Sequence, residues 1–158
     1  MLISEEQKSI NFKYNSNLAT INWERVCELF YSINWNRRYP KEIKEAFEKS
    51  SHTVFVFDND LIIGFGRTVD DGKYYAMLAD IVIDPAYQKR GLGKSVVNIL
   101  KEAVLGYHFI TLTASPAKSA FYRNIGWSKQ SSSYIWPQTP KQIRQHCKKE
   151  DNSDVSQY

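Results

Sequence analysis

Residues 76–105 have the sequence AMLADIVIDPAYQKRGLGKSVVNILKEAVL, and this stretch determines the fold that we expect. The apolar run 76–83 indicates a strand buried on both faces, which ends before Pro85 because proline cannot donate a hydrogen bond to a sheet. Apolar residues then recur at helical spacing over 92–104. The stretch therefore predicts a strand, a glycine-containing loop and a helix in succession.

The loop between this strand and this helix has the composition of a phosphate-binding site. It contains Gly91 and Gly93, which permit close approach to the backbone, and the cations Lys89, Arg90 and Lys94. A helix N-terminus carries unpaired N–H groups and a partial positive charge, both of which stabilise a bound phosphate. We therefore expect the loop to bind a phosphorylated ligand.

Two common phosphate-loop patterns fail on individual residues. The nucleoside triphosphate pattern G-x-x-x-x-G-K-[ST] ends correctly at residues 93–95, but Gln88 occupies the position of its first glycine. The dinucleotide pattern G-x-G-x-x-G begins at Gly91, but Val96 occupies the position of its third glycine. Both patterns lack a residue that their mechanism requires.

Residues 88–93, QKRGLG, instead resemble the Q/R-x-x-G-x-G/A pyrophosphate loop of the GNAT superfamily of acyl-CoA-dependent N-acyltransferases. The lead-in 80–85 and the later segment 121–127, FYRNIGW, resemble the core motifs of that family in the expected order. The resemblance covers roughly residues 50–137 and is closest in kind to small bacterial and plastid arylalkylamine-type members. It implies a single α+β domain whose mixed, mostly antiparallel central sheet has a splayed parallel strand pair and flanking helices.

The resemblance also implies where acetyl-CoA binds. The pantetheine arm would pair with the backbone of the buried strand beside its splayed neighbour, and the pyrophosphate would lie on the loop. The coenzyme-binding residues expected on this basis are Ile81, Val82, Ile83, Gln88, Lys89, Arg90, Gly91, Leu92, Gly93, Lys94, Ser95, Ser119 and Tyr122. Tyr122 matches the family tyrosine that acts as general acid toward the coenzyme sulfur.

An acceptor ammonium must lose a proton before it attacks a thioester. Asp80 is the candidate base, because a carboxylate on a buried strand needs a partner or a function; an ordered water chain could serve instead, with Asp80 a structural carboxylate. Trp35 and Tyr39, in an aromatic connector between two predicted helices, and Tyr75 are candidate acceptor contacts. Trp35 could equally pack the connector.

Sequence patterns in the rest of the chain predict further strands and helices around residues 76–105. Alternation and turn signals predict six further strands, at residues 9–14, 53–57, 61–69, 108–113, 127–130 and 133–136. Helical spacing predicts three further helices, which begin near Trp23, at Pro40 and at Pro116. The strand at 108–113 follows a crossover helix and should pair parallel to 76–83. Residues 1–137 form the predicted N-acetyltransferase domain, and 138–158 form a polar tail that is a helix fragment or disordered.

Composition restricts the classes of function. The chain has 158 residues, of which 42% are hydrophobic and 14% aromatic, and this composition is typical of a globular domain. It has neither an apolar run of about 20 residues nor a signal-peptide core, so we expect a cytoplasmic protein without a membrane partner. The net charge of +4 is spread along the chain and predicts no nucleic-acid partner. The histidines and cysteines lack metal-ligand spacing, so no metal is expected.

We therefore expect an N-acetyltransferase that moves acetyl from acetyl-CoA to a primary amine by direct attack in a ternary complex. Cys27 and Cys147 lie outside both motifs, which argues against a covalent acyl-enzyme. A small aromatic amine is the expected acceptor; a protein lysine or N-terminal amine, and a non-catalytic acyl-CoA-binding regulator, are the alternatives. Tyr134 and Trp136 could form a homodimer surface.

Overall fold

The predicted strand is the fourth of a five-stranded sheet in the computed structural model, which describes residues 9–148, and the predicted loop and helix follow it. The strands are β1 Ile10–Tyr14, β2 Thr53–Asp58, β3 Leu61–Asp70, β4 Tyr75–Ile83 and β5 Phe109–Leu112. The helices are α1 Trp23–Ser32, α2 Pro40–Glu48, α3 Leu92–Ala103, α4 Ser119–Asn124 and α5 Pro140–His146. The sheet and α1–α3 belong to one compact unit, which ends at Thr113, and α4 and α5 belong to a second, which begins at Ala114.

The sheet is mixed, as predicted. Its strand order is β1-β2-β3-β4-β5, and all neighbours are antiparallel except β4 and β5. The parallel pairing runs from Tyr75 opposite Phe109 to Leu78 opposite Leu112 and goes no further, although β4 continues to Ile83. This confirms the predicted α+β class and the splayed parallel pair.

A bulge interrupts β4 where its pairing with β5 ends. Phe65 lies opposite Val82 and Arg67 lies opposite Ala79, so Gly66 alone faces two residues of β4. One of those two, Asp80, has a φ of 52°, in the left-handed region that non-glycine residues rarely adopt. The extra residue turns the Asp80 side chain to the same sheet face as Arg67, which it contacts.

The helices cover the two faces of the sheet unequally. Buried residues of α1 and α2 pack with Phe55, Phe65 and Val82 on one face. On the other face α3 packs so closely that a Cβ on Gly66 would lie 2.8 Å from Val96 Cγ1. Asn22 caps α1, since its side chain accepts from the Arg25 backbone N–H in the first turn. No helix within residues 9–148 is long and apolar enough to cross a bilayer.

The prediction that 76–83 is buried on both faces is wrong for the first half of β4. Ala76 and Leu78 are buried, but Tyr75 is 63% exposed and Met77 is also exposed. The reason is that α3 covers one face of the strand, whereas α1 and α2 pack on the other face only near Val82. The start of β4 therefore alternates like a half-covered strand.

The two strands predicted at 127–130 and 133–136 are also wrong, because those residues have no regular secondary structure. The backbone N–H of Trp127 donates to the Tyr122 carbonyl at 3.0 Å and closes the end of α4. Tyr134 is 98% exposed and Trp136 is 85% exposed, so neither packs on a sheet. Aromatic enrichment does not make a strand without a pairing partner. In the predicted tail, α5 confirms a helix fragment, and residues 149–158 lie outside the described range.

Candidate active site

The entry into the glycine loop is fixed to the end of β4 by Asp84. Its carboxylate accepts from Arg25 Nη2 at 2.6 Å and from the Ala86 N–H at 2.9 Å, and its own N–H donates to the Ile63 carbonyl at 2.8 Å. Gln88 Nε2 adds a hydrogen bond to the Ile83 carbonyl at 3.1 Å. These contacts hold the start of the loop in one position relative to the sheet.

The loop presents unpaired N–H groups among exposed cations. Gly91 is the N-cap of α3 with a φ of 79° and has no side chain to accept a hydrogen bond, so the first N–H groups of the helix lack an intrahelical partner. Lys89, Arg90 and Lys94 are exposed around them. Ser95, by contrast, uses its hydroxyl on the Gly91 carbonyl at 3.2 Å. The loop thus brings free backbone N–H groups and three exposed cations together, and the role of residues 88–95 in binding the coenzyme stays a prediction.

The second half of β4 offers an open backbone edge. Val82 and Ile83 pair with β3 on one side, and from Ala79 to Ile83 no β5 residue pairs with the other side. Ile81 is partly buried, and its Cδ1 lies 2.7 Å from where a Cβ of Gly66 would be. This edge includes the predicted residues 81–83 and has no β5 partner, although Gln88 donates to the Ile83 carbonyl, and an extended chain can pair with the rest of it.

Asp80, the candidate base, is held by two arginines. Its side chain is 9% exposed; Oδ2 lies 2.6 Å from Arg67 Nε and Oδ1 lies 3.9 Å from Arg38 Nη2. Arg67 is held in turn by the Ala46 carbonyl and the Ser50 hydroxyl, each 3.3 Å from Nη1. This pairing favours the interpretation of Asp80 as a structural carboxylate, whose partners are side chains. The role of Asp80 as base stays a prediction.

The three predicted acceptor contacts lie in different surroundings. Trp35 packs on the Phe30 ring at 5.6 Å between centroids and against the core, which favours its packing interpretation. Tyr75 is exposed on the sheet face, 6.2 Å from the Phe109 ring. Tyr39 borders an open groove of about 520 Å³ beside α1, which we call the α1 groove. Its lining residues are Glu24, Cys27, Glu28, Tyr31, Arg37, Arg38, Tyr39 and Pro40.

Tyr122 lies on α4 in the second unit. Its ring contacts those of Phe121 and Trp127, at 5.0 and 6.4 Å between centroids, and burial raises the pKa of its hydroxyl above the ordinary value. Ser119 begins the same helix. Among the described residues, the Trp127 indole N–H is buried without a hydrogen-bond partner.

Arg67 and Arg38, which lie beside Asp80, are not among the predicted site residues. For Arg67 a signal was present, because it follows Phe65 by two residues in an apolar strand and therefore faces the core side of the sheet, where a charge needs a partner. For Arg38 the sequence contains no signal that separates it from the adjacent Arg37.

Comparison with known proteins identifies the family. A family model described as an acetyltransferase (GNAT) domain matches residues 18–135, so the chain belongs to the GNAT acetyltransferase family. It is 35% identical over 124 residues, 73% of this chain and 70% of the relative, to "Uncharacterized N-acetyltransferase ycf52" of Porphyra purpurea. It is 30% identical over 108 residues, 64% of this chain and 54% of the relative, to chloroplastic serotonin N-acetyltransferase 2 of Oryza sativa subsp. japonica.

The solved structures agree on the fold. A GNAT-family acetyltransferase of Streptococcus pneumoniae superposes with a TM-score of 0.69 over 81% of this chain and 97% of its own, at 22% identity. The resemblance inferred from the motifs is therefore confirmed, and the protein is an N-acetyltransferase by family.

Proposed function

We propose that the protein transfers acetyl from acetyl-CoA to a primary amine by direct attack of the amine in a ternary complex. The observation that carries this proposal is the succession of the open β4 edge at 79–83 and the cationic loop at 88–95. An extended pantetheine arm suits the first, and a pyrophosphate suits the second. Ser119 and Tyr122 are coenzyme contacts on the strength of the family resemblance alone.

The proposed chemistry forms a nitrogen–carbon bond and breaks the carbon–sulfur bond of the thioester. The amine attacks in its neutral form, after Asp80 or an ordered water chain has taken its proton, and the nitrogen releases a second proton to solvent as the amide forms. Backbone N–H groups of β4 stabilise the oxyanion of the tetrahedral intermediate. Tyr122 donates its proton to the leaving thiolate; burial raises the pKa of its hydroxyl, so the phenol enters this step protonated.

A small aromatic amine is the acceptor that we favour. Exposed rings of Tyr31 and Tyr39 border the α1 groove, and a relative carries the name serotonin N-acetyltransferase. The openness of this groove keeps a protein lysine or N-terminal amine as the second candidate, and a non-catalytic acyl-CoA-binding regulator as the third. Several expectations stay predictions: a cytoplasmic location, the absence of a metal, membrane or nucleic-acid partner, a homodimer, and the domain limits 1–137.

Calorimetric titration with CoA tests the proposed coenzyme site. Lys94→Ala, in the first turn of α3, should raise the Kd for CoA about fivefold, because a charge-assisted contact to phosphate is lost. Lys101→Ala, at the other end of the same helix, is the matched control and should leave the Kd unchanged. Equal effects of the two variants would contradict phosphate binding at the loop.

Direct transfer is tested by removing both thiols. Cys27→Ala combined with Cys147→Ala should retain turnover, and initial rates should show intersecting lines in double-reciprocal plots. Loss of turnover with intact CoA binding would overturn direct attack.

A further inference from the structure

Arg38 has a guanidinium group that the described part of the chain leaves without a hydrogen bond. Its Cζ lies 4.7 Å from the centroid of the Phe30 ring, and its Nη2 lies 3.9 Å from Asp80 Oδ1. The second distance exceeds that of a hydrogen bond. The five N–H donors of this side chain therefore remain available to a ligand.

Two other arginines at this sheet are engaged in a different way. Arg67 donates to Asp80 and to two further oxygens, and Arg25 donates to the Ile62 carbonyl at 2.9 Å and to Asp84 at 2.6 Å. Both side chains tie secondary-structure elements together. Arg38 makes no comparable connection, so the fold does not need its donors.

The charges around Asp80 leave an excess of positive charge. Arg67 pairs with this carboxylate at 2.6 Å and Arg38 lies 3.9 Å from it, so the three side chains together carry one positive charge. The Arg38 side chain is 39% exposed and also borders the α1 groove. A partly desolvated guanidinium with free donors binds a carboxylate or phosphate in a bidentate manner.

The α1 groove has walls of opposite charge. Glu24 and Glu28 lie on its α1 side, where Glu28 is 3.5 Å from Arg25, and Arg37 and Arg38 lie on the connector side. This distribution is complementary to a ligand that carries both an amino group and an acidic group.

We propose that the acceptor is a primary amine that also carries an acidic group, a carboxylate or a phosphate, which Arg38 binds. This inference rests on the proposed acetyl transfer to an amine. The coenzyme phosphates are assigned elsewhere, because the cationic loop begins beyond Ile83 and α3 packs on the sheet face opposite Arg67.

Matched amines test the proposal by binding, independently of turnover. CoA-saturated protein is titrated with phenylalanine and with phenethylamine, which differ by the carboxylate alone. Wild type should bind phenylalanine about tenfold more tightly or better, and Arg38→Gln should abolish that preference. Arg38→Lys should keep part of it, because a charge without the planar fork remains. β-Alanine and phosphoethanolamine, compared with ethanolamine, decide whether carboxylate or phosphate is preferred.

Lys41→Gln is the matched control, since it removes one positive charge from the first turn of α2 and should keep the preference. The proposal is overturned if the wild type binds phenethylamine and phenylalanine with equal affinity, or if it binds neither acid-bearing nor plain amines. It is also overturned if the Arg38→Gln variant keeps the preference for phenylalanine. Arg38-dependent binding without acetyl transfer from acetyl-CoA supports the proposal and contradicts the proposed reaction instead.

Discussion

Arg67 Nε lies 2.6 Å from Asp80 Oδ2, which joins β3 to the bulge of β4 by an ion pair whose side chains are 14% and 9% exposed. Asp80 also has an unusual backbone conformation, with a φ of 52°. The ion pair therefore helps to hold the bulge at the point where β4 and β5 part.

Asp80→Asn should lower the free energy of unfolding by about 3 kcal/mol, because it leaves the guanidinium of Arg67 largely buried and unpaired. Urea denaturation at pH 7 measures this loss. Asp80→Asn combined with Arg67→Met should lose less than the sum of the two single variants. If Asp80→Asn instead kept full stability and lost more than about a hundredfold in kcat, Asp80 would be the catalytic base.

Gly64 makes a packing contact that any side chain would disrupt. A Cβ there would lie 2.6 Å from Ile83 Cδ1 and 2.9 Å from the Val82 carbonyl oxygen, so Gly64→Ala should cost about 1–3 kcal/mol of stability. Gly106→Ala, where a Cβ would meet nothing within 4 Å, is the matched control and should be neutral or slightly stabilising. Equal melting temperatures of the two variants would argue against close packing at Gly64.

Asp70 should make stability depend on pH. Burial would raise the pKa of its carboxyl, but hydrogen bonds from Ser51, Thr68 and the Gly72 N–H outweigh this effect and hold the pKa below its ordinary value. A depressed pKa stabilises the fold above about pH 4, and this contribution is lost as pH falls through the folded-state pKa. Asp70→Asn should cost about 1–3 kcal/mol at pH 7 and progressively less below about pH 4.

Denaturant titrations of wild type and Asp70→Asn at pH 7 and at lower pH measure that difference. Asp60→Asn, which removes an exposed carboxylate from the turn between β2 and β3, is the control and should show little effect at either pH. A loss in Asp70→Asn that does not change with pH would contradict the account.

The raised pKa of Tyr122 should determine the alkaline side of the pH–rate profile. Since burial raises the pKa of this phenol above that of an ordinary tyrosine, kcat/KM should rise as the amine loses its proton, with no alkaline fall in the range where an ordinary tyrosine is protonated. Tyr122→Phe should lower kcat about a hundredfold. Tyr134→Phe, on a fully exposed tyrosine, should leave it unchanged. An unaltered rate in Tyr122→Phe would exclude this acid.

Local patterns predicted the centre of the fold, and non-local partners explain the errors. The β4 strand, its loop and α3 follow from contiguous residues, whose proline, glycines and apolar spacing act over a few positions. The ion pair of Arg67 and Asp80 depends on a bulge between two strands, which no local pattern specifies. The strands predicted at 127–130 and 133–136 failed for a related reason, because aromatic composition does not supply a pairing partner.

Acetyl transfer itself tests the central claim most directly. Purified protein is incubated with acetyl-CoA and separate arylalkylamines, polyamines, amino acids and lysine peptides, while thiol release and the mass of the acetylated amine are followed together. One thiol should appear per acetylated amine, above the background hydrolysis and with one class of amine preferred. CoA binding without transfer to any amine would contradict the enzymatic account and favour a regulator, and failure to bind CoA would contradict the role of the loop.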